Sequence, residues 1–151
     1  PDLAGLCTAP LYRESFVCLI ANDHPLASQE SLSWEDYARF DHVVITITDE
    51  RSPTFLDQEL SKRGLARHVR VRTRYFNAAP MLLAGSDMIL TCPRTLARYM
   101  AQHHDLCLLE SPVPLMEYEE SQAWHERLHA DPAQRWVRTF IKSTTEALFD
   151  S

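Results

Sequence analysis

Glycine is nearly absent: the 151 residues hold three, Gly5, Gly64 and Gly85. With glycines this scarce no loop can be written that cradles phosphate, which excludes P-loop and dinucleotide fingerprints. No G-x-S-x-G elbow occurs, so an α/β-hydrolase nucleophile is missing too. The four cysteines, Cys7, Cys18, Cys92 and Cys107, include no C-x-x-C pair. Such spacing reads as reduced, cytoplasmic cysteine and not as a disulfide framework. Cys92, just before Pro93, reads as a small buried residue at a strand end. Basic charge is in deficit, with 15 Lys+Arg against 21 Asp+Glu and a net charge of −6. That balance does not look like a DNA-binding module, which presents a basic face. No apolar run approaches the roughly 18 residues of a membrane span, and no secretory signal is visible. The chain opens at Pro1 with no initiator Met, the pattern expected of a piece of a longer protein.

What is present is a regular alternation of strand and helix signals. Ser15 to Ala21 is a short apolar run of strand length, ended by Asn22-Asp23-His24-Pro25, since the residue before proline avoids helix. Ser33 is placed to cap a helix from Trp34 to Phe40, with Glu35 and Asp36 in its first turn. His42 to Thr48 is β-branched and reads as a buried strand. Ser52-Pro53 predicts the start of the next helix, and Gly64 its end, after Lys62 and Arg63. His68 to Arg74 alternates, with Val69, Val71 and Thr73 on one side and His68, Arg70, Arg72 and Arg74 on the other. Arg70 and Arg72 fit a solvated sheet edge. A helix from Phe76 to Ala84, a strand from Asp87 to Thr91, a helix from Pro93 to His103 and a strand from Leu106 to Leu109 complete the series. Four strand–helix repeats argue for α/β with a mostly parallel sheet flanked by helices.

The tail breaks the rhythm. Ser111-Pro112-Val113-Pro114 is a stiff linker, and Glu117 to Trp124 is extended. Asp131 then caps, Pro132 starts, and an amphipathic helix runs to about Phe149, with Trp136, Val137, Phe140 and Ile141 on its apolar side.

Two constellations bear on function. His125-Glu126-Arg127-Leu128-His129 matches H-E-x-x-H, which on a helix offers two imidazoles to zinc and a general base. A zinc metalloprotease is therefore the competing reading. Asp131-Pro132 stands two residues past His129, however, and starts its own helix, so the motif falls ahead of one and loses the i, i+4 geometry. His103-His104 points in diverging directions and suits the last turn of a helix. The second constellation is the carboxyl ends of the strands, where open α/β sheets bind ligands. Thr46, Thr48, Asp49 and Arg51 follow the second strand; Arg74, Tyr75, Phe76 and Asn77 the third; Thr91 to Pro93 the fourth. Hydroxyls, an aromatic pair and a guanidinium would hold a small aromatic or carboxylate-bearing molecule. No nucleophile–base pair accompanies them, so no catalysis is expected.

A longer pattern runs through the chain: Leu11-Tyr12-Arg13-Glu14-Ser15, His24-Pro25-Leu26-Ala27, His42-Val43, Ser86 to Thr91, Pro93, Trp124-His125, Arg127, Asp131-Pro132 and Arg135 to Arg138. In order and spacing it resembles the effector-binding domain of LysR-type transcriptional regulators, in the branch of the nodulation and aromatic-catabolism regulators. The resemblance implies a two-lobed domain like the type 2 periplasmic binding proteins, with a small-molecule effector between the lobes. Residues 1–24 would be a crossing strand and hinge, 25–116 the second lobe, and 117–151 the return strand and C-terminal helix; most of the first lobe would precede Pro1. Effector contacts would fall near Thr46, Thr48, Tyr75, Phe76 and Thr91. Subunits would pair through the Pro53–Arg63 helix into a dimer or tetramer. DNA would be bound only by an N-terminal helix-turn-helix domain that this chain lacks. No cofactor, metal or membrane is implied. A solute-binding protein of the same fold is the remaining alternative.

Overall fold

The computed structural model describes residues 5–46, 54–112 and 117–149. In chain order the strands are β1 (Leu6–Glu14), β2 (Phe16–Ala21), β3 (Asp41–Ile45), β4 (His68–Thr73), β5 (Ile89–Pro93), β6 (Leu106–Leu109) and β7 (Tyr118–His125). The α-helices are α1 (Trp34–Arg39), α2 (Phe55–Ser61), α3 (Ala79–Leu83), α4 (Arg94–His103) and α5 (Pro132–Phe149). The elements form two compact units, residues 15–116 and residues 1–14 with 117–151. The division therefore falls after Glu14 and not at residue 24, because β2 belongs to the larger unit's sheet.

That sheet has five strands in the order β4-β3-β5-β2-β6. β3 is parallel to β4 and β5, while β2 runs antiparallel to both its neighbours, β5 and β6. Four strands thus share one direction and β2 opposes them. The four-repeat reading placed β2 among the parallel strands; apolar content marks a strand as buried but carries no sign of its direction. β2 is central and covered on both faces, which is why it is apolar throughout. Val17, Leu19 and Ala21 join Val43, Leu83, Leu90, Ala97 and Met100 in one core. Cys18 and Ile20 join Tyr37, Leu60, Ile89 and Leu109 in the other. β4 is an edge strand with Arg70 and Arg72 exposed, and Arg70 pairs with Asp41 at 3.3 Å. The solvated edge read from the sequence is present.

Helix boundaries follow local chemistry. Ser33 caps α1 by accepting from the Asp36 N–H at 3.0 Å. α2 is capped by Thr54: Thr54 Oγ1 accepts from Asp57 N–H, and the Asp57 carboxylate accepts from Thr54 N–H at 2.7 Å. This reciprocal box satisfies two orphan donors at once. Ser52 and Pro53 lie outside the described residues. Gly64, at φ +70°, turns the chain so that Leu65 N–H reaches back to Leu60 C=O, as a glycine terminator does. The helix expected from Phe76 to Ala84 splits into a 3₁₀ turn, Phe76–Ala78, and the short α3. Pro80, in the first turn of α3, has no N–H to carry a continuous α-helix back through Phe76. Pro93 ends β5 and is the N-cap of α4, so the helix starts at Arg94, one place after the predicted first helical position.

In the smaller unit β1 and β7 pair antiparallel, from Leu6↔His125 to Glu14↔Tyr118, with an irregularity between Pro10 and Tyr12. Asp131 caps α5 by accepting from Gln134 N–H at 2.8 Å. Arg138 lies over the Trp124 ring at 4.5 Å and donates to His129 C=O at 2.8 Å, so β7 and α5 are clasped together. The outer face of α5 is apolar and bare: Trp136 is 67% and Phe140 55% exposed, their rings stacked at 5.4 Å. Contiguous exposed apolar surface drives association. Light scattering is expected to show the mass of the chain rising with concentration, and Trp136→Glu with Phe140→Glu is expected to return it to a monomer. A wild-type monomer at every concentration would refute this.

Candidate functional site

The carboxyl ends of β3 and β4 lie side by side. Ile45 pairs with Thr73, and Thr46 N–H donates to Thr73 C=O at 2.9 Å. Beyond this point β4 ends, because Thr73 Oγ1 accepts from Tyr75 N–H at 3.1 Å and bends the chain. Ala78 N–H then bonds Tyr75 C=O and closes the 3₁₀ turn. Arg74, Tyr75, Phe76 and Asn77 are thereby carried together on one exposed corner, with Tyr75 69% and Phe76 39% exposed. The two adjacent rings make this corner apolar as well as polar. Thr48, Asp49 and Arg51 lie outside the described residues.

Thr91 sits differently. It is half-buried within β5, and its hydroxyl is within 2.7 Å of Tyr37 Oη and 3.8 Å of Cys18 Sγ. Tyr37 belongs to a polar network that the sequence reading did not find. Arg67, whose side chain is 3% exposed, donates Nε to Asp57 Oδ1 at 2.7 Å, Nη2 to Thr54 Oγ1 at 3.0 Å and Nη1 to Tyr37 Oη at 3.4 Å. Burial would raise the Asp57 pKa, but the bonds from Arg67 and Thr54 outweigh it and hold the carboxyl below its ordinary range. Burial pushes Tyr37 up to about 12, so it is a neutral hydroxyl, and pushes the Cys18 thiol up to about 12, so it is inert. His42, fully buried, donates Nε2–H to Tyr37 C=O at 2.7 Å. Burial pushes it down to about 4. The one local clue to this network was Thr54-x-x-Asp57, a capping-box spacing overshadowed by Ser52-Pro53.

The zinc motif does not have the geometry its chemistry needs. His125 ends β7, Glu126–Leu128 is a single 3₁₀ turn, and α5 starts afresh at Pro132. His129 Nδ1 accepts from Trp124 Nε1–H at 3.2 Å, and the two rings stack. His103 bonds Tyr99 C=O in the last turn of α4. Elsewhere a concavity of about 580 Å³ opens at the opposite strand ends, between Ala21, Pro80, Met81, His104 and Leu106. Asp23 and Asp105 line it too, and their carboxylates would repel an anionic ligand.

A mixed sheet with helices on both faces, a capped terminal helix and a polar–aromatic corner at the strand ends is shared by many binding domains, so the family rests on sequence. The LysR substrate binding domain matches residues 1–146. The chain belongs to that family. Among its relatives, the HTH-type transcriptional regulator SyrM of Rhizobium meliloti (strain 1021) is 34% identical over 89% of the chain and 41% of SyrM. Nodulation protein D 2 of Rhizobium tropici is 30% identical over 88% of the chain and 42% of its own length. The HTH-type transcriptional activator NahR of Pseudomonas putida is 30% identical over 93% of the chain and 47% of NahR. The chain thus spans less than half the length of these LysR-family relatives. Among solved structures, the regulatory domain of MexT from Pseudomonas aeruginosa superposes with a TM-score of 0.78 at 30% identity, covering 93% of the chain and 68% of that domain. The likeness to LysR-type regulators read from the sequence is confirmed, and the fold with it.

Proposed function

We propose that this chain is the ligand-sensing part of a longer LysR-type transcriptional regulator, and that it performs no catalysis. A small aromatic or carboxylate-bearing effector binds at the ends of β3, β4 and β5, using Thr46, Thr48, Arg74, Tyr75, Phe76, Asn77 and Thr91. The observation that carries this reading is the exposed corner where Tyr75 and Phe76 stand beside Thr46 and Thr73. In the complete protein the effector lies between two lobes, residues 15–116 contributing the second, and prefers one lobe arrangement over the other. It therefore acts by population shift. DNA is contacted through an N-terminal domain, subunits pair through α2, and the protein works in the cytoplasm without a cofactor. No helix among the described residues is long and apolar enough to cross a membrane. The regulators SyrM, Nodulation protein D 2 and NahR support this reading over the solute-binding and protease alternatives.

The test is a Phe76→Ala, Thr48→Ala double variant of the complete regulator. Loss of one aromatic face and one hydrogen bond is expected to raise the effector concentration needed for half response by about tenfold or more. An unchanged dose–response curve in a reporter assay would sink the assignment.

A further inference from the structure

The buried network has a direction. Arg67 has only donors to offer, so its contact with Tyr37 makes the tyrosine oxygen an acceptor there. The Tyr37 proton then needs an acceptor, and among the described residues Thr91 Oγ1, at 2.7 Å, is the one in reach. Thr91 accepts from Tyr37 and keeps its own O–H to donate. Its other neighbour, Cys18 Sγ at 3.8 Å, is a weak acceptor. The far end of the chain is fixed, because Arg67 is held by Asp57 and Thr54 at the capping box of α2.

We infer that Arg67 and Tyr37 are positioning residues that fix Thr91 as a hydrogen-bond donor and so select an effector bearing a carboxylate over one bearing a neutral amide. The inference rests on the placement of the effector at Thr91 proposed above. Each bond in the series Arg67→Tyr37→Thr91 polarises the next, and hydrogen bonds in a low-dielectric interior strengthen one another in this way. The cation never touches the ligand. Its charge is felt through two hydroxyls as a more acidic Thr91 proton, which an anionic acceptor rewards more than a neutral one. Two hydroxyls could each rotate if left alone; a fixed donor at one end removes that freedom. The loss of rotamer choice is incurred on folding and not on binding, which is the physical content of preorganisation.

Benzoate and benzamide are suitable probes, since they share a ring and differ in the charge of the acceptor. The complete regulator is titrated with each, and binding is followed by calorimetry. Wild type is expected to prefer benzoate. Tyr37→Phe is expected to weaken benzoate by about tenfold while changing benzamide by about threefold or less, so the preference shrinks. The Phe ring keeps the packing on His42, whose ring lies 4.5 Å from that of Tyr37, and a melting curve confirms that the variant is folded. Thr91→Val is expected to weaken benzoate similarly, and the double variant to be no weaker than Thr91→Val alone, because both act through one hydroxyl. Arg67→Lys, which keeps the charge but not the three-way fork, is expected to reduce the preference as Tyr37→Phe does. Equal weakening of both probes by Tyr37→Phe, or additive losses in the double variant, would overturn the relay while leaving the effector site standing. A Thr91→Val chain with unaltered benzoate binding, or a wild type that does not bind benzoate, would overturn the effector assignment itself and the relay with it.

Discussion

Between pH 6.5 and pH 4 the chain is expected to lose about 3 kcal/mol of unfolding free energy through His42 alone, and His42→Gln is expected to abolish that loss. His42 is fully buried, and its imidazole is held down to about 4 against an ordinary value of 6.5. Burial is the largest cause. The nearby Arg67 charge adds to it, while the bond to Tyr37 C=O and the carboxylates of Asp57 and Asp41 oppose it. The folded pKa lies below the unfolded one, so within this window the unfolded chain binds more protons. Stability therefore falls as pH drops from 6.5, and the fall levels off below about 4. Nδ1 has no hydrogen-bond partner among the described residues, so a proton there would be buried without an acceptor. Glutamine retains an N–H for Tyr37 C=O but has nothing to titrate. Burial lowers His24 as well, which leaves a smaller residual slope in the variant. Asp57, whose pKa is depressed, contributes stability that is lost only at lower pH, as it falls through the carboxylate range. Urea unfolding at four pH values distinguishes the two chains; parallel curves for wild type and His42→Gln would show that His42 is not the source.

The second large effect is at Arg67. Arg67→Met is expected to cost about 3 kcal/mol, because it strips Asp57 of its cation and leaves Tyr37 and Thr54 each short of a donor in a buried site. The Asp57 side chain is 28% exposed, so water recovers part of its solvation and keeps the loss below that of a fully buried pair. Asp57→Leu in the same chain is expected to restore part of the loss, since no unpaired charge then remains inside. The two partners are near enough to couple strongly, and unfolding free energies of the four chains form a closed cycle. A cost below about 1 kcal/mol for Arg67→Met would show that the network contributes little beyond its geometry.

These two residues also show where the sequence stopped being legible. β2, the alternating β4, the cap at Asp131 and the bare face of α5 were all readable, because each is set by spacings of two to four residues. The strand-end corner was readable only roughly: the pattern ran the strands on to Thr48 and Arg74, while β3 stops at Ile45 and β4 at Thr73. Arg67 carries no such local mark. What distinguishes it from Arg70 is burial, against Asp57 10 residues away and Tyr37 30 away, and periodicity says nothing about such distances. Thr91 was read as a strand-end hydroxyl, but it lies within β5, and its bond to Tyr37 spans 54 residues. The reversed direction of β2 was hidden for the same reason, since Cys18 faces Thr91 across 73 residues of intervening chain.

That placement of β2 governs the order in which the protein can be built. Its flanks are β5 and β6, so β2 must wait, apolar, for Pro93 on one edge and for Leu109 on the other. β1 waits longer still, for His125. Loop-closure entropy makes such distant pairings slow, and an exposed apolar strand in the meantime is a template for aggregation. The helix signals between them, α1 to α4, are local, so Phe16–Ala21 is the segment expected to need protection from aggregation while its partners are made.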